Sequence, residues 1–352
     1  MKKTCNIKKY LGVLSVFICV MAFITADCNA AFAAKRRLKI YAPYPEDSYT
    51  TQALQELSKM IKDKTKGEID FKVFPSGQLG TYEDSIEEVR AGTIDMSFTW
   101  LTKRYHPKLD IGNLPGLCTS GFPEYELMFL DPKSPFCKLI EQYCKEAGLV
   151  SLGGWVDPRI GFILSKVPKD PKSNSKKNIT LRTPAMPSVR DMAGAMGYNT
   201  VTMDYAEVFS AIQTGQIDGA SNIPAEDAYL QARDMIKCFD ANNMGSTPGW
   251  LIINKDLWES FGEKNRKIVQ DCIAFQLKKW VPVARTIEAK YEKKLEEHGV
   301  KVIKYNSAEC AKRSAEIRAK VWPKYEKVYG KDVLKTLEAA VIKNQKKLEG
   351  KQ

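Results

Sequence analysis

The chain is poor in histidine: only His106 and His298 occur among 352 residues. It also lacks a GxSxG elbow, an HExxH helix, a Walker-type phosphate loop and a GxGxxG turn. These are the short motifs that place a nucleophile, a zinc ion or a nucleotide where chemistry needs it. No CxxC and no Cys/His metal spacing is present, so a zinc site has no support in the sequence. Nothing points specifically to a Ser/His/Asp or Cys/His centre. His298, in the charged run Glu296-Glu297-His298-Gly299, reads as a solvated cation at a helix C-terminus. His106, in a loop before Pro107, reads as structural. After residue 33 no apolar run approaches the ~20 residues that a bilayer span needs. A low-complexity linker is missing as well.

What is present begins at the N-terminus. Lys2, Lys3, Lys8 and Lys9 precede a mostly apolar stretch from Leu11 to Thr25, and Ala31-Phe32-Ala33 offers a small-residue cleavage pattern. Residues 1–33 therefore read as a cleaved signal peptide, and the mature chain as an exported, periplasmic protein. An uncleaved anchor and lipid attachment at Cys28 are the alternatives; Asp27 is a poor neighbour for the latter. Four lysines and Asp27 leave with that segment, a net of +3, so the charge falls from +12 to +9. Such an excess can attract nucleic acid or an anionic membrane. Here the lysines spread along helical stretches such as 290–294 and 343–347, the pattern of solvated helix faces. No nucleic-acid partner is expected, and attraction of anionic solutes is what remains. Removing 33 of 352 residues leaves 319, more than one core usually supports, so two lobes are expected. Six cysteines stay in the mature chain: Cys118, Cys137, Cys144, Cys238, Cys272 and Cys310. A disulfide from Cys118 to Cys137 or Cys144 is conceivable in an oxidising compartment; buried free thiols are the other reading.

Strand and helix patterns alternate after the signal. Leu38–Ala42, Ile69–Phe74 and Ile94–Phe98 read as strands, with helices over 48–64 and 82–90 between them. That order predicts a parallel sheet with right-handed crossovers. A short internal echo suggests a second, related lobe. Residues 90–95 read Arg-Ala-Gly-Thr-Ile-Asp and residues 213–218 read Gln-Thr-Gly-Gln-Ile-Asp. Each places a glycine suited to the left-handed position at a helix end, directly before a strand. Asp204 with Glu207 predicts a capping box at the start of the second helix. Asp95 and Asp218 are equivalent in the echo; turn hydrogen bonding is their expected role. Later, Trp250–Asn254 reads as a strand, Glu263–Glu297 as a long helix kinked at Pro282, and 307–348 as a charged helical tail.

The stretch from Thr180 to Asn222 carries the functional argument. Arg182 follows a short strand and precedes Thr183-Pro184. In open α/β sheets ligands bind beyond the carboxyl ends of strands, and a fixed guanidinium there offers parallel donors to a carboxylate. This segment resembles the substrate-binding proteins of TRAP transporters, the DctP-like family. The resemblance extends over nearly the whole mature chain through Lys64-Thr65-Lys66-Gly67, Phe74-Pro75-Ser76-Gly77-Gln78-Leu79-Gly80, Gly92-Thr93-Ile94-Asp95-Met96, Leu181-Arg182-Thr183-Pro184, Ala206-Glu207-Val208 with Ala211-Ile212-Gln213-Thr214-Gly215, and Ile217-Asp218-Gly219 leading to Asn222. Individually weak, the fragments gain weight from their order and spacing.

The resemblance implies a two-lobed α/β receptor of periplasmic-binding-protein type, closing around an organic acid and delivering it to an ion-driven integral-membrane carrier. The long kinked helix would span both lobes. The expected division is 34–157 plus 247–286 for lobe I and 158–246 plus 287–352 for lobe II. The family's carboxylate clamp falls on Arg182, its second arginine on Arg159 in Trp155-Val156-Asp157-Pro158-Arg159, and its asparagine on Asn222. Trp100, Trp155 and Trp250 sit near predicted lobe edges, where an indole can stack on a flat ligand or pack in the core. Tyr44 and Gln78, after the first two strands, are further candidates. The branch that holds keto acids through a metal uses a Glu-Trp pair near Asn222; here the text is Asn222-Ile223-Pro224-Ala225-Glu226-Asp227, so neither metal nor cofactor is expected. A monomeric, non-enzymatic TRAP receptor is the expectation. A receptor for an ATP-driven importer or sensor, and more remotely an exported α/β enzyme, are the rivals.

Overall fold

Two sheets, each built around a parallel core, carry the structure. It is a computed structural model that describes residues 37–118, 121–157, 159–245 and 248–349; the expected signal peptide lies outside them. The first sheet contains β1 (Leu38–Tyr41), β2 (Phe71–Phe74), β3 (Met96–Trp100), β4 (Leu149–Gly154) and β10 (Gly249–Asn254), in the order β2-β1-β3-β10-β4. The second contains β5 (Ile160–Leu164), β6 (Thr180–Thr183), β7 (Asn199–Thr202), β8 (Gly219–Pro224), β9 (Cys238–Asp240) and β11 (Lys301–Ile303), in the order β11-β9-β5-β8-β6-β7. β1 runs parallel to β3, and β6 runs parallel to both β7 and β8. β10 inserts antiparallel between β3 and β4, as β5 does between β8 and β9. Gly249 to Ile253 is buried on both sides, which explains the unbroken apolar run Trp250-Leu251-Ile252-Ile253 in a strand that other layers cover.

The helices follow their amphipathic patterns. α1 (Tyr49–Lys64) starts where the Ser48 side chain accepts from the Thr51 amide, and buries Ala53, Leu54, Leu57 and Ile61 on one face. α2 (Tyr82–Ala91) is capped by Thr81 and ends at Gly92, whose φ of 78° is left-handed. α3 (Pro135–Glu146) covers the first sheet and α4 (Pro187–Ala195) the second. α5 (Val208–Gln213) is followed by Gly215 at φ 74°, so both glycines of the echo take the expected conformation. The capping box at Asp204 is a correction: residues 205–207 form a 3-10 turn, and the Asp204 side chain makes no capping hydrogen bond. A true capping box occurs at Asn306 and Glu309 instead.

The chain passes between the sheets after β4, after β9, and along the helices α6 (Lys255–Ser260) and α7 (Gly262–Glu297). α7 keeps Pro282 inside a continuous helix. Before Pro282, the Trp280 indole donates to Glu56 of α1 over 3.0 Å. Beyond it, Tyr291 packs on Tyr229 with ring centroids 5.8 Å apart. The tail is not one helix: α8 (Ser307–Val321) and α9 (Lys331–Glu349) are separated by short turns and by Gly330 at φ 87°. α9 packs on α3 and on residues 122–130, beside the first sheet. All six described cysteines are free and buried. Cys137 lies against the Phe129 carbonyl and Cys118 against that of Gly121, so the conceivable bridge between Cys118 and Cys137 or Cys144 is not formed.

Candidate functional site

Arg182 lies in β6 with only 4% of its surface exposed. Its Nε donates to the Met203 carbonyl over 2.7 Å, and the guanidinium lies over the Tyr205 ring at 5.9 Å. Met203 follows β7, so the charged group spans the carboxyl ends of two neighbouring parallel strands. Among the described residues no carboxylate comes within ion-pair distance of it. Burial pulls the guanidinium below its usual value, offset by the fields of Tyr205, Tyr82 and Asp204. A buried cation without a partner is unfavourable, and an incoming anion relieves that cost.

Aromatic side chains from the first sheet face this region. Trp100, at the end of β3, makes edge contacts with Tyr44 at 5.5 Å and Tyr82 at 5.2 Å. Tyr82, at the start of α2, feels the charge of Arg182, and Tyr44 feels that of Asp227. Residues following β1 and β2 thus lie within the electrostatic reach of residues of the second sheet. Asp157 fixes the first-sheet group: its two oxygens accept from the Tyr44 hydroxyl at 3.0 Å and the Trp100 indole at 2.8 Å. Asp157 is 2% exposed. Burial pushes its carboxyl up to about 7 against those two hydrogen bonds, and Glu288 adds to the rise. Gly249 makes the arrangement possible, because a Cβ there would fall 2.1 Å from the Phe98 ring. On the facing side the Tyr205 hydroxyl donates to Asp227 over 2.6 Å.

The other predicted residues divide. Arg159 is engaged with Glu288 of α7: its backbone amide donates over 2.5 Å, and its Nε stands 3.6 Å from the second carboxylate oxygen. Burial raises Glu288 to about 7, opposed by Arg159. The structural ion pair thus falls on Arg159 and spares Arg182. Asn222 sits in β8 at φ 61°, a left-handed conformation that asparagine tolerates. Trp155 is fully buried, with its amide bonded to the Gly249 carbonyl. Trp250 is 1% exposed and packs on Phe136 of α3 at 5.9 Å. Side chains alternate along a strand, so Trp250 points away from the face where Gly249 meets Asp157. Gln78 is exposed in the turn after β2. Trp100 and Tyr44 are therefore brought together, next to Tyr82, on which the charge of Arg182 acts, and Trp250 and Gln78 lie apart from them.

Sequence reasoning missed Asp157, Tyr82, Tyr205 and Asp227. An acidic residue closing the otherwise apolar crossover Gly153-Gly154-Trp155-Val156-Asp157 was the available signal. The residues meet the chemical demands of an anion pocket with a flat aromatic wall, and groups of His, Cys, Asp and Glu able to hold a metal are absent among the described residues.

The family model for bacterial extracellular solute-binding protein, family 7 (DctP), matches residues 42–332. The C4-dicarboxylate-binding periplasmic protein DctP of Shewanella loihica is 22% identical, over 93% of this chain and 95% of that protein. A TRAP periplasmic solute binding protein from Desulfovibrio salexigens, solved with bound orotic acid, superposes with a TM-score of 0.76 at 21% identity, covering 88% of this chain and 99% of that one. Another, from Sulfitobacter sp. with bound beta-D-galacturonate, gives 0.74 at 24% identity, covering 85% and 99%. At such identities the solved structures establish the likeness of fold.

Proposed function

This chain belongs to the family 7 bacterial extracellular solute-binding proteins, and from that premise we propose that it is the periplasmic receptor of a TRAP transporter, taking an organic acid by its carboxylate at Arg182. The observation that carries this reading is the buried guanidinium of Arg182, held by the Met203 carbonyl and lacking an acidic partner among the described residues. A ligand carboxylate supplies the countercharge through two charge-assisted hydrogen bonds. Tyr44, Tyr82 and Trp100 from the other side cover the rest of the ligand, so closure joins a charged half-site to an aromatic one. Asn222 contributes a further polar contact, and Arg159, tied to Glu288, supports the crossover instead of gripping the acid directly.

The lobes are proposed as 34–157 with 247–286 and 158–246 with 287–352, α9 reaching back to the first. The protein acts as a monomer, is exported through a cleaved segment at 1–33, and passes its ligand to membrane subunits without turning it over. Relatives supply the ligand range to search: the Desulfovibrio protein holds orotic acid and the Sulfitobacter protein a sugar acid. A thermal-shift screen over dicarboxylates, sugar acids, keto acids and aromatic acids tests the reading. At least one acid should raise the unfolding midpoint of the native protein and leave Arg182→Ala unmoved; an unchanged shift in that variant would refute the carboxylate anchor.

A further inference from the structure

Away from the cleft, the segment that leaves β3 runs along α8, and its contacts step regularly down that helix. The Trp322 indole donates to the Pro115 carbonyl over 2.9 Å. Arg318 donates to the Gly116 carbonyl over 3.0 Å, and a Cβ at Gly116 would lie 3.3 Å from that of Ser314. As the segment advances from 115 to 116, its helix neighbours recede from 322 through 318 to 314. Two residues further along the segment is Cys118; one turn further back along the same helix face is Cys310. Both thiols are buried, at 7% and 2% exposure, and both are free. Each feels the charges of the same two residues, Glu124 and Arg159, and Cys118 feels Cys310 itself.

We propose that Cys118 and Cys310 are a disulfide-forming pair that staples the 114–118 segment to α8. The inference draws on export to an oxidising compartment, and so rests in part on the function proposed above, but its geometry does not. A dithiol–disulfide oxidant supplies the chemistry. One cysteine thiolate attacks the oxidant's disulfide, releasing one oxidant thiol and leaving a mixed disulfide. The second cysteine thiolate then displaces the remaining oxidant thiol and closes the Cys118–Cys310 bond. Two protein thiols are oxidised and one disulfide is reduced to two thiols. Burial pushes both protein thiols upward, Cys310 to about 11, which slows their attack on the oxidant without barring it. The staple joins a segment leaving the first sheet to a helix whose first turns pack on α4 beside the second. It lies outside the cleft at Arg182.

The mature chain, residues 34–352, is exposed to oxidised glutathione, denatured, and its free thiols alkylated and counted by mass before and after reduction. The expected result is loss of two of the six mature thiols, with one cross-linked peptide joining Cys118 to Cys310 under non-reducing digestion. Reduction should lower the unfolding midpoint by roughly 5 °C, the scale of one long-loop disulfide in a protein of this size. Cys118→Ser and Cys310→Ser should each abolish the cross-link and remove that sensitivity. Six alkylated thiols after oxidation, or a cross-link between any other pair, overturns the proposal. Those outcomes leave ligand binding at Arg182 untouched, and failure of Arg182 to anchor an acid leaves the thiol count untouched.

Discussion

The two sheets repeat one plan and differ at one decisive position. Strand order β2-β1-β3-β10-β4 in the first matches β7-β6-β8-β5-β9 in the second, with β11 added at the edge. Asp95 accepts from the Lys39 amide at 2.7 Å, and Asp218 accepts from the Thr180 amide at 2.9 Å. The registers continue the match: Ile40 and Tyr41 pair with Met96 and Ser97, and Leu181 and Arg182 pair with Gly219 and Ala220. Arg182 therefore occupies in the second sheet the place that Tyr41 holds in the first. Tyr41 is 2% exposed, with its hydroxyl raised by burial and by Asp84. A duplicated frame has kept its turn carboxylates and its helix-ending glycines while one copy placed a cation at the strand end. The frame is structural; the asymmetry is where we propose the ligand binds.

The sharpest way to test that asymmetry is to alter both positions. Arg182→Ala should weaken binding of any acid found in the screen by roughly 30-fold or more, since removing one side of a buried charged pair costs about 2–5 kcal/mol. Tyr41→Phe should change affinity less than about threefold. Isothermal titration of both variants decides the matter, and equal losses would dissolve the distinction.

The next effect concerns two carboxyls buried where the chain crosses between the sheets. Asp157, ordinarily near 3.8, holds its proton up to about 7 in the fold, and Glu288 moves from 4.5 to about 7. The folded state thus binds more protons than the unfolded one between those values. The associated stability is full below about 4 and is lost as pH rises through about 7. The unfolding midpoint should fall between pH 5 and pH 8, and Asp157→Asn should flatten that fall, its amide oxygen accepting from the Trp100 indole and its amide nitrogen donating to the Tyr44 hydroxyl oxygen. A slope unaltered in the variant would remove Asp157 from the account.

Smaller effects probe the shared frame. Asp95→Ala should cost about 2 kcal/mol by stranding a strand amide, and Asp218→Ala about 1 kcal/mol. Asp95 is the more enclosed at 4% exposure, and the Asp218 side chain is about a fifth exposed beside Lys166. Gly92→Ala and Gly215→Ala should each cost about 1 kcal/mol, because both adopt the left-handed region. Urea unfolding of the four variants measures these differences, and a large inequality between the glycines would break the equivalence.

Much of this frame was legible in the chain. The first strands, the two helices between them, the two echoed glycines and the place of Arg182 all follow from local rules of period and turn. What stayed hidden depends on residues far apart in sequence. Arg159 looked free until Glu288, 129 positions later, came alongside. Trp250 left stacking on a ligand and packing in the core both open; strand alternation beside the close approach of Gly249 and Phe98 turns it onto Phe136 in the core. Asp204 carried the pattern of a cap, but the chain tightens into a 3-10 turn there. Periodicity says which face of an element is apolar; it does not say which distant side chain will meet it.

α7 contains 36 residues, and Pro282 stands 20 positions after its start. At 1.5 Å per residue the earlier arm is about 30 Å long. Proline withholds one amide from the ladder, which softens the rod at that point. A bend of about 5° there sweeps the far tip of the arm through about 2.6 Å, close to the length of a hydrogen bond. Were the helix to bend at Pro282, a rotation too slight to disturb either core would be magnified into the distance that separates contact from no contact.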